Sequence, residues 1–331
     1  MKWLSETARY SKRGERAKEK CALALDVGGT FLKSAVITSK GLLLEKTFQK
    51  TPIDSQGSAE TIVGTFTRVF KVALQKAEEF GFGVVGIGIG MPGPFDYGEG
   101  ISLMEHKYAS IYGLNVKREF IQRLDLEEDF SIRFENDAWT FLRGEAWRGA
   151  AQGYNRIVGL TLGTGLGSAF MVDDEIVIEG PGVPPHAWVG ALPYDDGIVE
   201  DKISRRGIIA RYRELAGNSS SENEDVKEIA LKGLKYGDKN SLQVFGELGS
   251  TLAQVMKPLL SNFKAECLVL GGQISKSFSL FEAPLKKQLR SVPSFKKITR
   301  ARFIDLSALY GAAKIVFQKN VKSWGVIGVD E

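Results

Sequence analysis

Apolar residues fall along the chain in short runs that close on glycine. CALALDVGGT, from Cys21 to Thr30, is the first. It has the pattern of a buried strand that ends at Asp26 and enters a tight turn at Gly28-Gly29. KSAVIT and LLLEKTF predict two further strands joined at Ser39-Lys40-Gly41. The chain thus returns as a strand after the glycine turn, whereas a dinucleotide-binding unit would open a helix there. Residues 58–80 predict an amphipathic helix capped by Ser58, with Ile62, Phe66, Val69, Phe70, Val72 and Leu74 on its apolar side. GVVGIGIGMPGPFD predicts a buried strand broken at Pro92-Gly93. A loop over 97–115 and a short helix from Asn115 to Leu124 follow. FSIRFEND then predicts a strand running into a helix from about Ala138 to Gly149.

A second block repeats the theme. RIVGLTLGTGLGSAFMVDDEIV reads strand, Gly/Thr turn, strand, turn, strand. Residues 179–200 are rich in Pro and Gly and predict irregular structure. Helices are expected over about 202–262, with a polar loop from Gly217 to Glu224. ECLVLGGQIS predicts a strand ending at Gly271-Gly272, and FIDLSALYGAAKIVF a closing helix. The expected class is α/β in two lobes, each opening with a β-hairpin and a glycine turn. The expected division is a basic extension at 1–20, a smaller lobe at 21–135 completed by the C-terminal helix at about 311–331, and a larger lobe at 136–310.

Composition narrows the class. With 331 residues, 43% hydrophobic and 25% charged, the chain has material for about two globular domains. The net charge is +4, and residues 1–20 alone hold seven Lys/Arg against three Glu. The rest is neutral, which argues against a nucleic-acid partner. The basic segment reads as a solvated extension or as a docking arm for an acidic partner. The longest uncharged run, Ile157 to Val172, contains four glycines and is too short to span a bilayer comfortably. The N-terminus lacks the apolar core of a secretory signal, so neither membrane nor export is expected. Two cysteines, Cys21 and Cys267, cannot build a disulfide framework, and a reducing, cytoplasmic setting fits. Only two histidines occur, His106 and His186, so a His/Cys metal site is not expected.

Candidate chemistry gathers at the turns. Glycine turns after strands expose backbone N–H groups that can cradle phosphate. Three such turns are present: Asp26 to Thr30, Gly163 to Gly167, and Gly271-Gly272. None fits the Walker A or dinucleotide patterns, so a nucleotide held by separate β-turns fits better. Asp26 either holds Mg²⁺ through water or caps its turn. Asp137 follows the strand FSIRFE where a helix begins, and is either a general base or an N-cap.

LDVGGTFLKSAVI, GIGIGMPGPFD, ENDAWTFLRGEAWRGA and TLGTGLGSAF together resemble the ROK (repressor, open reading frame, kinase) family of the sugar kinase/Hsp70/actin superfamily. GGQIS and ALYGAAK extend the likeness over roughly residues 22–318. The resemblance implies a two-lobed actin-like (ribonuclease H-like) ATPase fold with mixed sheets, flanking helices and an interlobe cleft. It implies ATP and Mg²⁺ as cofactors, a sugar or polyol as acceptor, and a homodimer. By that likeness Asp26, Gly28, Gly29, Thr30 and Lys33 form the first phosphate segment, and Asp26 serves Mg²⁺. Gly163, Thr164 and Gly165 form the second, and Gly271 and Gly272 pack the adenosine. Asp137 corresponds to the catalytic base; Asn136, Gly93 and Glu200 correspond to sugar contacts.

The family pattern breaks at HAWVGALPYDDGIVED. Trp188 stands where many members carry a Glu and Ala191 where they carry a His, and no cysteine lies between Cys21 and Cys267. A structural zinc is therefore not expected. His186 either substitutes for the missing histidine or is a loop residue, and Trp188 either stacks on a sugar or packs in the core. EHKYASIY, residues 105–112, is an acceptor loop or a plain surface loop; Glu105, His106, Lys107 and Tyr108 suit a polyol. The expected activity is glucokinase-like phosphoryl transfer from ATP. A sensor without turnover, a polyphosphate-dependent kinase and an actin-like or Hsp70-like ATPase are the alternatives.

Overall fold

The computed structural model describes residues 19–217, 224–319 and 324–327. Residues 1–18 of the basic segment and most of the loop expected at Gly217 to Glu224 lie outside these described residues. The chain divides into two compact units: one runs to Trp147 and resumes at Ala308, the other is Arg148–Ser307.

In the first unit β1 (Lys20–Val27) and β2 (Phe31–Thr38) form the expected hairpin across the Gly28-Gly29 turn. The segment LLLEKTF, expected as a strand, is not one. Leu43 makes only an isolated bridge to Ile37, and Glu45–Thr47 is a 3₁₀ turn. The cause is Thr47: its Oγ1 accepts the Val36 N–H at 2.8 Å, so a side chain takes a place that a ladder carbonyl would otherwise fill. Pairing resumes at β3 (Gln49–Pro52).

Helix α1 (Ala59–Glu79) is capped by Ser58, whose hydroxyl accepts the Thr61 N–H at 3.2 Å. Its buried face is Ile62, Phe66, Val69, Phe70 and Ala73. Val72, expected on that side, is exposed, because the 3.6-residue period brings Ala73 inward instead. The chain continues through β4 (Gly83–Met91), the two-residue strands β5 (Phe95–Asp96) and β6 (Ile101–Ser102), α2 (Val116–Leu124), β7 (Ile132–Asn136) and α3 (Asp137–Trp147). The main sheet has order β3-β2-β1-β4-β7, with β4 parallel to both β1 and β7. Two parallel neighbours therefore deliver Asp26 and Asn136 at the same ends of their strands. A buried ion pair, Arg143 Nε to Glu135 Oε2 at 2.7 Å, ties α3 back onto β7 and fixes where α3 starts.

The second unit repeats this plan. It runs through β8 (Arg156–Leu162), β9 (Leu166–Val172), β10 (Glu175–Val177), β11 (Pro193–Tyr194), β12 (Gly197–Ile198), α4 (Val199–Ile203), α5 (Arg205–Ala216), α6 (Val226–Tyr236), α7 (Lys239–Phe263), β13 (Cys267–Gly271), α8 (Phe278–Leu289) and β14 (Lys297–Arg300). The sheet order is β10-β9-β8-β13-β14, again a hairpin edge followed by parallel strands. Its core packs Leu160, Phe170, Phe245, Met256, Leu268 and Phe281. Helix α8 and strand β14 escape the sequence reading: Pro284, a residue type that disfavours helix, lies inside the one, and only four residues make the other.

The chain closes in the first unit with α9 (Ser307–Phe317) and β15 (Val326–Ile327), which pairs with β5. Helix α9 lies so close to β4 that a Cβ on Gly88 would collide with the carbonyl of Ala312. Among the described residues no helix is long and apolar enough to cross a membrane.

Candidate functional site

In the first unit the chemistry collects at the ends of β1 and β7. Asp26 faces Lys33 across the β1–β2 ladder, and Lys33 Nζ stands 3.2 Å from Asp26 Oδ2. Both are half-buried, so the pair is ordered without being sealed from water. Beyond it the turn is pinned: Gly28 N–H donates to the Phe31 carbonyl at 3.1 Å, and the Tyr108 hydroxyl donates to the Gly28 carbonyl at 2.5 Å. Thr30, at the far side of the turn, is exposed.

Asp137 is the first residue of α3 and half-buried. Its Oδ1 accepts the Ala138 N–H at 2.9 Å, and Asn136 Oδ1 accepts the same N–H at 3.0 Å. One backbone donor is thus shared by two side chains, and the Asp137 carboxylate also meets its own backbone N–H. Burial pushes its pKa up, and the charge of Asp26 pushes it further; Lys107 and the backbone donors oppose the rise. That balance suits a general base, whose proton affinity should lie nearer the operating pH than that of an ordinary carboxylate.

Asn136 is oriented from behind. Its Nδ2 donates to the Tyr97 hydroxyl at 3.2 Å, and that hydroxyl donates to the Met91 carbonyl at 3.1 Å. Burial raises the Tyr97 pKa, so the phenol stays protonated and able to donate. Gly93 adjoins this network: a Cβ there would lie 3.3 Å from the Tyr97 hydroxyl, and the Gly93-Pro94 bond is cis. Tyr97 was not singled out from the sequence, although it follows GMPGPFD by one residue.

In the second unit the Gly163–Gly165 turn closes the β8–β9 hairpin, with Gly163 N–H on the Gly165 carbonyl at 3.0 Å. No atom lies within 4 Å of a Cβ built on Gly163, so an incoming group could approach its backbone. The start of the helical region grips the turn at two points. Glu200 Oε2 accepts the Leu166 N–H at 2.8 Å, and Arg205 N–H donates to the Gly163 carbonyl at 2.8 Å. Gly272 has φ of 77°, and a Cβ there would collide with the backbone of Leu162. Gly271 pairs with Thr161, so the second and third glycine turns are neighbours.

His186 is exposed in a 3₁₀ turn and Trp188 is 42% exposed. Ser168 on β9 holds this loop, its hydroxyl donating to the Ala187 carbonyl at 2.6 Å and accepting the Val189 N–H at 2.9 Å. Trp188 is thus not a core residue.

A Mg²⁺ ion keeps most of its water and is commonly held by one or two carboxylates together with substrate phosphates. Asp26, half-buried beside an open glycine turn, fits that role. Among the described residues no group of three or more His, Cys, Asp or Glu could hold a metal by itself.

Comparison with known proteins is consistent with this arrangement. The ROK family model matches residues 22–319. The glucokinase of Thermotoga maritima is 24% identical over 324 residues, which cover 90% of this chain and 97% of that protein. The N-acetyl-D-glucosamine kinase of Haemophilus influenzae is 27% identical over 321 residues, covering 89% and 99%. Among solved structures, a ROK family glucokinase from Streptomyces griseus in complex with glucose and AMPPNP superposes with a TM-score of 0.70 at 22% identity, covering 89% of this chain and 98% of that one. The match spans both glycine-turn hairpins, Asn136-Asp137 and the closing helix, and on it the chain belongs to the ROK family.

Proposed function

We propose that this protein is an ATP-dependent kinase that transfers the γ-phosphoryl group to a hydroxyl of a sugar or polyol. The observation that carries the reading is Asp137: a half-buried carboxylate at a strand-to-helix junction, with its pKa raised by burial and by Asp26, beside an oriented amide. The family match and its kinase relatives support the same reading.

In this mechanism Asn136 and Gly93 hold the acceptor, and Asp137 receives the proton of the attacking hydroxyl. The sugar oxygen forms its bond to the γ-phosphorus as the bridging bond to the β-phosphate breaks, and ADP leaves. Gly29 and Thr30 present backbone N–H groups to the phosphates, Gly28 shapes their turn through its own bond to the Phe31 carbonyl, and Lys33 keeps Asp26 in place. Asp26 would hold a Mg²⁺ ion, which would supply neutralisation of the phosphate charge. We assign Gly163, Thr164 and Gly165 to the nucleotide phosphates, and Gly271 and Gly272 to the adenosine. Glu200, whose Oε2 braces Leu166, is assigned to the sugar through its second oxygen; His186 stands at an exposed loop where a sugar could reach it. The family resemblance supports a homodimer, and the buried thiols of Cys21 and Cys267 suit the cytoplasm.

The test is an ADP-release assay with Mg-ATP across hexoses, N-acetylhexosamines and polyols, with polyphosphate as a second donor. Acceptor-dependent release that Asp137→Asn abolishes supports the kinase. ADP release independent of every acceptor would favour an ATPase, and binding without turnover a sensor.

A further inference from the structure

One charged side chain in the first unit has no part in the mechanism above. Lys107 belongs to the loop over residues 105–112, yet its stem lies on the phosphate turn: a Cβ built on Gly29 would stand 3.5 Å from Lys107 Cε and 3.7 Å from Cδ. The adjacent residue explains why it stays there. Tyr108 is fully buried, has φ of 58°, and donates its hydroxyl to the Gly28 carbonyl at 2.5 Å. Its backbone N–H donates to the Ser55 carbonyl at 3.0 Å, so the loop is fastened at both ends of one residue. Phe66 packs beside the Tyr108 ring, with centroids 6.1 Å apart. Lys107 is thereby aimed across the glycine turn from a rigid anchor. This is unlike a surface lysine on a free tip.

Resting on the kinase reading of this site, we propose that Lys107 is a catalytic residue that binds the transferring phosphoryl group, and that Tyr108 is the residue that positions it. The surrounding charges favour this over an acceptor contact. Gly29, which the stem crosses, belongs to the turn assigned to phosphate, and Lys33 is already committed to Asp26. Lys107 is a second cation at this turn, one whose charge also acts on Asp137, and so can face phosphoryl oxygens there. It is also the side-chain charge that opposes the rise in the Asp137 pKa. Charge on the phosphoryl oxygens and on the bridging oxygen must be stabilised during transfer, and a lysine supplies a compact point charge for that purpose. The bonds made and broken are unchanged: the hydroxyl proton goes to Asp137, the sugar oxygen bonds to phosphorus, and ADP carries off the bridging electron pair.

The experiment compares the native protein with Lys107→Met, Lys107→Arg and Tyr108→Phe. Lys107 is exposed, so its variants should fold; thermal melts check this. With a working acceptor, Lys107→Met should lower kcat by about 10²–10³-fold, the range for removing one preorganised electrostatic contact. The sugar KM should change little, and Lys107→Arg should recover part of the rate. The acid limb of kcat/KM, governed by Asp137 with Asp26, Lys33 and Lys107 around it, should move to higher pH in Lys107→Met. Tyr108→Phe should lower kcat less and leave that limb nearer the native position. A kcat within threefold of native, an unmoved acid limb, or an effect confined to the sugar KM would overturn the proposal; the last would make Lys107 an acceptor contact. Calorimetry with Mg-AMPPNP and Mg-ADP separates this from failure of the kinase reading. Even if no acceptor is turned over, Lys107→Met should weaken AMPPNP more than ADP, and equal loss or no loss would overturn the role of Lys107.

Discussion

Removal of one oxygen atom, in Tyr97→Phe, probes the link between the fold and the acceptor site. Tyr97 is 4% exposed, and its ring packs against Phe95 and Trp139 with centroids 5.3 and 6.1 Å away. The phenylalanine ring keeps those contacts, so the change isolates the hydroxyl. Two hydrogen bonds go: the donation to Met91 O at 3.1 Å and the acceptance from Asn136 Nδ2 at 3.2 Å. Loss of a hydrogen bond that strands a buried partner costs about 1–3 kcal/mol. For a unit of this size, each kcal/mol lowers the melting temperature by about 2–4 °C. Asn136 Oδ1 keeps its bond to Ala138 N, so the amide should loosen without leaving its place. The expected kinetic result is a raised sugar KM with a smaller change in kcat. A double-mutant cycle of Tyr97→Phe with Asn136→Ala, read by denaturant unfolding and by sugar KM, gives the coupling directly. Residues in one hydrogen-bond network couple by about 0.5–3 kcal/mol. Additivity within about 0.3 kcal/mol, or a native sugar KM in Tyr97→Phe, would refute the view that Tyr97 orients Asn136.

Two further outcomes follow from the same geometry. Gly272, at φ 77° and ψ 169°, holds a backbone conformation essentially reserved for glycine, so Gly272→Ala should cost more than about 1–3 kcal/mol. Its Cβ also meets the Leu162 backbone, so nucleotide affinity should fall with stability, and a variant that binds AMPPNP normally would contradict the placement. Asp137→Asn should be more stable than the native protein at pH 7–8. The folded-state pKa of Asp137 is raised, so this group's contribution is complete below its ordinary value of 3.8 and is lost as pH rises through the folded value. The variant's advantage in thermal melts should therefore shrink towards pH 4; an advantage equal at every pH would contradict the assigned cause.

Much of the candidate chemistry in each unit was legible because its residues end apolar runs. Asp26, Gly28-Gly29, Asn136-Asp137, Gly163–Gly165 and Gly271-Gly272 each lie at or just after the end of a buried strand, and parallel pairing of β1 with β4 and of β4 with β7 brings the Asp26 turn and Asn136-Asp137 to one end of the first sheet. What the sequence withheld depends on long-range side-chain bonds. The Tyr108 hydroxyl reaches Gly28 across 80 positions and Glu200 reaches Leu166 across 34, and no local periodicity encodes either. Tyr97 escaped for the same reason, since its role exists only once Asn136 lies beside it. LLLEKTF failed as a strand because its β propensity was overridden by the Thr47 hydroxyl, a tertiary contact with Val36. Glu200 shows the intermediate case: the family resemblance singles the residue out, while its grip on the β8–β9 turn required the structure.

The most direct measurement is a single-turnover reaction with γ-labelled Mg-ATP and the best acceptor of the panel, following label into the sugar for the native protein and for Asp137→Asn. The account predicts transfer to the sugar hydroxyl by the native protein and a rate lower by about 10²–10⁴-fold in the variant, with sugar binding retained. Label released as free phosphate by the native protein, or equal transfer rates in the two proteins, would contradict it.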